Sequence, residues 1–334
     1  MSRLQLPVFK ALSEGTQVKP PPHRWVECNR RNSPMSFARL QTRTRHSSAF
    51  TLVELMIVIA IVGVLASLIT VGVMKAFERS KLVSARIEIS QLEAAVSAAK
   101  LDLGNVDELP SRLRIANSVA NFSTASALPG ETPADVTLRL STWSLFQKAF
   151  GKTIVGSGAP AVFNWRGPGN APNAGNVAIT LDGMEALMFW LGGIVENGKF
   201  TGFAASKTDP TLTEAASSKR KGPYYQFETT RVSGTASTGK LGYKNAWEGP
   251  YLYFSKSDYL YYTNNPLGGV SPYRNSNATT ANSFYNAKTF QIISSGQDQT
   301  FGTGGNYQPP FTIGVPGYDD LSNFSSTVLG KKDE

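Results

Sequence analysis

The chain has 334 residues, 41% hydrophobic and 17% charged, which is apolar enough to bury a core and too apolar for a disordered chain. Its formal charge of +9 is concentrated in residues 1–49, which hold nine Lys or Arg against Glu14 and Glu27; taking nine from 33 and two from 24 leaves 24 basic and 22 acidic side chains elsewhere, a net of +2. Beyond Ala49 there is no broad basic field for a nucleic acid. Cys28, His23 and His46 all lie in the same block, so a chain beginning after it has no thiol nucleophile, Ser-His-Asp triad, disulfide or His- or Cys-ligated zinc.

The basic block runs directly into an apolar one. Leu55–Met74 reads LMIVIAIVGVLASLITVGVM, 20 residues without a charge. At about 1.5 Å per residue it spans the roughly 30 Å hydrocarbon core of a bilayer, with the cationic flank kept on the cytoplasmic side. The run exceeds the roughly 7–15 residues of a cleaved secretory signal. Lys75, Glu78 and Arg79 follow it with no A-x-A cleavage pattern. Glu54 stands at the mouth of the span, where a carboxylate is costly and by default functional; the alternative is that it reaches back to the headgroups.

Behind its basic leader, Ala49-Phe50-Thr51-Leu52-Val53-Glu54-Leu55 closely resembles the N-terminal signature of type IV prepilins and pseudopilins. The resemblance implies that a prepilin peptidase cuts Ala49–Phe50 at the cytoplasmic face of the inner membrane, methylates the new amine of Phe50 and leaves the helix attached. It also implies that Glu54 neutralises the N-terminal ammonium of a neighbouring subunit, since neither charge is tolerable in apolar helix packing unless paired. Ala49 replaces the usual Gly, and Val71 stands where many members have Pro, so no proline kink is available. Met35 opens a leader of more ordinary length for that family.

Past the span, Leu82, Ile89, Val96 and Leu103 recur every seven residues, with Val83, Ile87, Leu92 and Ala99 beside them. Arg79, Lys81, Arg86, Glu88 and Glu93 fall largely on the other face. This predicts one helix over 50–104, in the membrane over 50–74 and packed on a domain thereafter, ended by Gly104 and Pro110. Residues 105–222 read as a large helix–loop insertion. It is irregular over 105–135, helical over Leu138–Phe150, and a Gly/Pro/Asn-rich loop over 156–176. A short apolar helix, Met184–Leu191, is capped by Asp182 and Glu185, and Lys219-Arg220-Lys221 makes a solvated loop. Gly151-Lys152-Thr153 is not a phosphate loop, because Phe146 occupies the position of the required Gly.

Residues 223–334 turn to β texture, with short runs rich in Tyr, Phe and Ile at Tyr224–Thr229, Tyr251–Ser255, Tyr259–Thr263 and Thr289–Ser294. The Tyr density admits sugar or base stacking, but half-buried strands with a wet outer face explain it better. Trp247-Glu248-Gly249-Pro250-Tyr251, Ser294-Ser295-Gly296-Gln297-Asp298, Gly304-Gly305 and Asp319-Asp320-Leu321-Ser322-Asn323-Phe324, in that order, resemble the C-terminal region of type II secretion major pseudopilins. Glu248 interrupts the first motif and Phe324 replaces a Trp in the last. The resemblance implies Ca²⁺ held by Asp298, Asp319 and Asp320, with a Ser295 carbonyl as a further donor. The other reading is that Asp298 and Asp319 cap turns.

The fold class expected is α+β: a long N-terminal helix, membrane-embedded in its first half, packed on a small antiparallel β-sheet domain with a large inserted helix–loop region. The implied function is structural, not enzymatic. The subunit would polymerise with itself through its N-terminal helices, alongside minor pseudopilins, into a periplasmic filament of a type II secretion-like system. One alternative is a membrane-tethered periplasmic binding protein that uses the same export route without polymerising. Another is an anchored carboxylate-dependent hydrolase, for which no catalytic pair stands out. No nucleic-acid partner is expected.

Overall fold

The computed structural model describes residues 50–158, 161–165, 177–235, 240–275 and 283–331. The basic leader, with Ala49, lies outside the described residues, as does most of the loop expected over 156–176. Helix α1, Leu52–Asp102, is 51 residues long. The chain divides into two compact units within it, after Ile61. In the first unit, residues 50–61 are all exposed.

In the second unit, the later part of α1 is amphipathic. Ala85, Ile89, Leu92, Ala95, Val96 and Ala99 are buried. Val83 and Ile87, expected on the buried stripe, are each 53% exposed. They sit one helical step beyond the face that packs. Glu88, expected on the polar face, is instead buried. Its Oε1 accepts the Tyr225 hydroxyl at 2.9 Å, and its Oε2 accepts Arg231 Nη2 at 2.6 Å and the Tyr251 hydroxyl. A buried carboxylate is tolerable here because it has a cation and two hydroxyls.

The stretch expected to be irregular contains strand β1, Arg112–Ala116, and helix α2, Val119–Ser123. Helix α3 is Pro133–Phe150, longer than predicted. Thr132 and Asp135 cap its start reciprocally and Pro133 occupies its first turn, where a missing N–H costs nothing. Strand β2, Ala178–Asp182, pairs antiparallel with β1. Asp182 therefore belongs to a strand, and the N-cap of helix α4, Met184–Gly192, is Gly183, with no side-chain cap. Glu185 still accepts the Asp182 N–H, at 3.4 Å.

Short antiparallel pairs follow: β3 (Val195–Glu196) with β4 (Lys199–Phe200), β5 (Phe203–Ala204) with β6 (Arg220–Lys221), and β7 (Val232–Thr235) with β8 (Lys240–Tyr243). The basic triplet is thus partly a strand rather than a solvated loop. Arg220 is held there by the carbonyls of Thr201, Gly202 and Leu212. No strand forms over Tyr224–Thr229.

Strand β9, Tyr251–Ser255, is followed by helix α5, Tyr259–Asn264, where a strand was expected. Tyr259 and Tyr262 are buried while Leu260 and Tyr261 are exposed, a spacing of three that suits a helix and not the alternation of a strand. Strand β10, Ser271–Asn275, pairs in parallel with β12, Gly304–Tyr307, an exception to the antiparallel rule. Strand β11, Phe290–Ser294, lies between β9 and β13, Leu321–Ser322, both antiparallel to it.

This three-stranded sheet explains the tyrosines. Tyr251 and Tyr253 enter the main core, which also gathers α1, α3 and α4, while Leu252 and Phe254 enter a second core with Tyr259, Tyr262, Tyr273 and Tyr307. Both faces are buried, so the outer face is not wet. The tyrosines keep hydroxyl partners instead: Tyr253 donates to Leu109 O at 2.5 Å and Tyr262 to Ser111 O at 3.1 Å. Because residues of 105–222 and of the C-terminal region share the main core, the inserted region is an integral part of the fold.

Candidate functional site

The N-terminal site is local. Phe50 is 79% exposed and precedes the helix. The Glu54 N–H donates to Thr51 Oγ1 at 3.2 Å, and Glu54 Oε2 accepts the Thr51 N–H and hydroxyl, each at 2.9 Å. This is a reciprocal capping box, which satisfies two of the four free donors of a helix start. The Thr-x-x-Glu spacing is visible in the sequence, but neither the inter-subunit nor the headgroup reading of Glu54 includes a cap. The box uses Oε2; among the described residues Oε1 has no partner.

Beyond this start, α1 contains an 18-residue window of mean hydropathy 2.8 with none of it buried. Further along, Val83, Ile87, Ser90, Ala94, Ser97 and Leu101 are all exposed. Their spacing of four and three residues places them on one uncharged face, the geometry of a helix–helix seam.

The C-terminal site is divided. Asp319 Oδ2 accepts the N–H groups of Gln297 and, at 3.0 Å, Asp298, while Asp298 Oδ1 accepts the Thr300 N–H at 2.7 Å. Asp298 and Asp319 are therefore together, joined by turn hydrogen bonds. Gly296 has φ +61, and a Cβ there would meet the Asp319 carbonyl oxygen at 2.5 Å, so the approach requires glycine. Asp320 points elsewhere. It is fully buried, its Oδ2 accepts the Gly302 N–H at 3.0 Å, and its Oδ1 has no partner among the described residues.

Burial pushes the Asp320 carboxyl up to about 8; the Gly302 N–H opposes this and the nearby Asp319 and Asp298 reinforce it. Ser295 is buried, with its Oγ 3.5 Å from Asn245 Nδ2. Among the described residues no group of three or more His, Cys, Asp or Glu side chains is arranged to hold a metal ion. The unpartnered Asp320 Oδ1 fits a cation; the Asp298 and Asp319 oxygens already filled by backbone donors do not.

Comparison with known proteins locates the relationship at the N-terminus. The family described as "Prokaryotic N-terminal methylation motif" matches residues 44–70. The N-terminal segment is prepilin-like. The chain is also similar to the type II secretion system core protein G of Pseudomonas aeruginosa, 40% identical over 58 residues in the N-terminal region. The matched stretch is 17% of this chain and 41% of the relative, so the chain spans well under half of that protein's length. No solved structure matches. With the prepilin-like motif, the one helix long and apolar enough to cross a membrane among the described residues fits an inner-membrane anchor that passes once.

Proposed function

We propose that this chain is a pseudopilin-like subunit that polymerises with its own kind and with minor pseudopilins into a periplasmic filament of a type II secretion-like system. A prepilin peptidase would release residues 1–49 and methylate Phe50, leaving the helix in the inner membrane and the C-terminal part in the periplasm. The observation that carries this reading is the start of α1. A Glu at the mouth of a charge-free span keeps one carboxylate oxygen unpartnered among the described residues, ready for a neighbour's N-terminal ammonium. The exposed, uncharged seam from Val83 to Leu101 extends the same self-association along α1.

Glu54 has two roles that one substitution can separate. Glu54→Gln keeps the capping-box hydrogen bond but removes the charge, whereas Glu54→Ala removes both. Both variants should insert into the membrane and fail to assemble, as seen by shearing and electron microscopy of filaments. Normal filament yield from Glu54→Gln would reduce Glu54 to a helix cap.

Calcium at the C-terminal turns belongs to the same reading, with Asp320 Oδ1 as the oxygen awaiting a cation and, as further ligands, the Ser295 carbonyl and those oxygens of Asp298 and Asp319 that hold no backbone N–H. Chelation should speed amide exchange over 296–317 in the full chain, and calcium should slow it. Asp320→Asn should abolish that difference. Exchange indifferent to both calcium and chelator would leave these aspartates as turn caps.

A further inference from the structure

A second buried carboxylate sits far from the C-terminal turns. Asp209 is 1% exposed and makes no ion pair among the described residues. Its Oδ1 accepts the Thr211 N–H at 2.8 Å and the Thr211 hydroxyl at 2.6 Å, while its Oδ2 is buried and has no partner among the described residues. The Thr211 oxygen in turn accepts the Asn164 N–H at 2.9 Å, and Asn164 Oδ1 is likewise buried without a partner.

The hydroxyl has one hydrogen, and Asp209 Oδ1 takes it. Thr211 therefore has none for either orphan. Two buried acceptor oxygens, one of them on a carboxylate, are left at one corner with no donor and no cationic side chain among the described residues, where each unpaired group is expensive.

The corner is built to be rigid. Thr208 O accepts the N–H groups of Val155 and Gly156 at 2.8 and 3.0 Å, and Ser206 Oγ accepts those of Thr208 and Asp209. Val155, Gly156 and Asn164 are thus tied to residues 206–211 across a long stretch of sequence. Carboxylate and amide oxygens without nitrogen or sulfur are the donors hard cations take, calcium more readily than zinc.

The geometry points to a calcium site at this corner, with Asp209 Oδ2 and Asn164 Oδ1 as its protein ligands. The ion supplies the charge the carboxylate lacks, leaves its remaining coordination to water or main-chain carbonyls, and clamps the two segments together. The site shares no residue with the C-terminal aspartates.

Equilibrium dialysis of the full chain in detergent against radioactive calcium tests it, in an Asp320→Asn background that removes the other candidate. One calcium should still bind, and fluorescence of Trp165, adjacent to Asn164 and 8% exposed, should change on chelation. Asp209→Asn in that background should abolish binding. Asn164→Ala, which leaves the carboxylate in place, should weaken it by about tenfold or more, and provides the test if Asp209→Asn does not fold. No calcium bound in the Asp320→Asn protein, or binding untouched by both further substitutions, overturns the site.

Discussion

Two stretches of α1 share one backbone ladder and meet different surroundings. Over 52–74 every side chain is exposed, although nearly all are apolar. Over 85–99 a single face is buried, and it includes Ala85, Ile89, Leu92, Val96 and Ala99. The difference lies in the angular distribution of side chains. An apolar stripe can be covered by one domain, whereas a helix apolar all round needs a solvent that is itself apolar or other helices. Stability of the folded unit should therefore depend on the second stretch, and membrane anchoring and assembly on the first. Substitutions in one should leave the other's property intact.

The largest expected effect comes from Leu92, which is fully buried. Leu92→Ala should lower the unfolding free energy by about 4 kcal/mol through lost transfer energy and a cavity. Leu65→Ala, at a side chain 53% exposed in the first stretch, should change it by less than about 0.5 kcal/mol. Denaturant titration in detergent measures both. Similar losses from the two would erase the distinction between the stretches.

A somewhat smaller effect sharpens the account of the folded unit. The Glu131 side chain is fully buried and pairs with Arg139 at 3.0 Å and Arg114 at 2.7 Å, while Arg139 also donates to the carbonyls of Asn121, Phe122, Thr124 and Ser126. Burial alone would raise the Glu131 carboxyl, but hydrogen bonds from Arg139, Arg114 and the Leu128 N–H outweigh it and lower the group from 4.5 to about 2. A depressed carboxyl contributes stability that is complete above the unfolded value and is lost as pH falls through the folded one. Melting measured from pH 5 downward should therefore show about 3 kcal/mol lost between about pH 4.5 and pH 2. Glu131→Gln should remove that dependence. An unchanged acid profile in the variant would place the acid sensitivity elsewhere.

What could be read from sequence followed how local its cause was. The span and the prepilin-like motif are set by contiguous residues, and both the helix and the family match fall where the residues put them. Strand β9, flanked by Pro250 and a short turn, was legible for the same reason. Tertiary partners decided the misreadings. Glu88 looked like surface charge until Arg231, Tyr225 and Tyr251 arrived from more than a hundred residues away. Arg220 looked solvated because backbone carbonyls leave no mark in sequence. Tyr259–Thr263 has aromatic β-propensity, yet the period of three that buries Tyr259 and Tyr262 overrode it. Thr51 and Glu54 were the reverse: a local capping signal obscured by a functional one.

If α1 enters the membrane as a processed prepilin, Phe50 is the first residue of the mature chain. Intact-mass and N-terminal peptide mass spectrometry of protein extracted from membranes measures that directly. The mature chain should begin at Phe50, carry one N-methyl group and retain the whole of α1. A chain that keeps its basic leader, or one cut beyond Met74 with the apolar run removed, would contradict it.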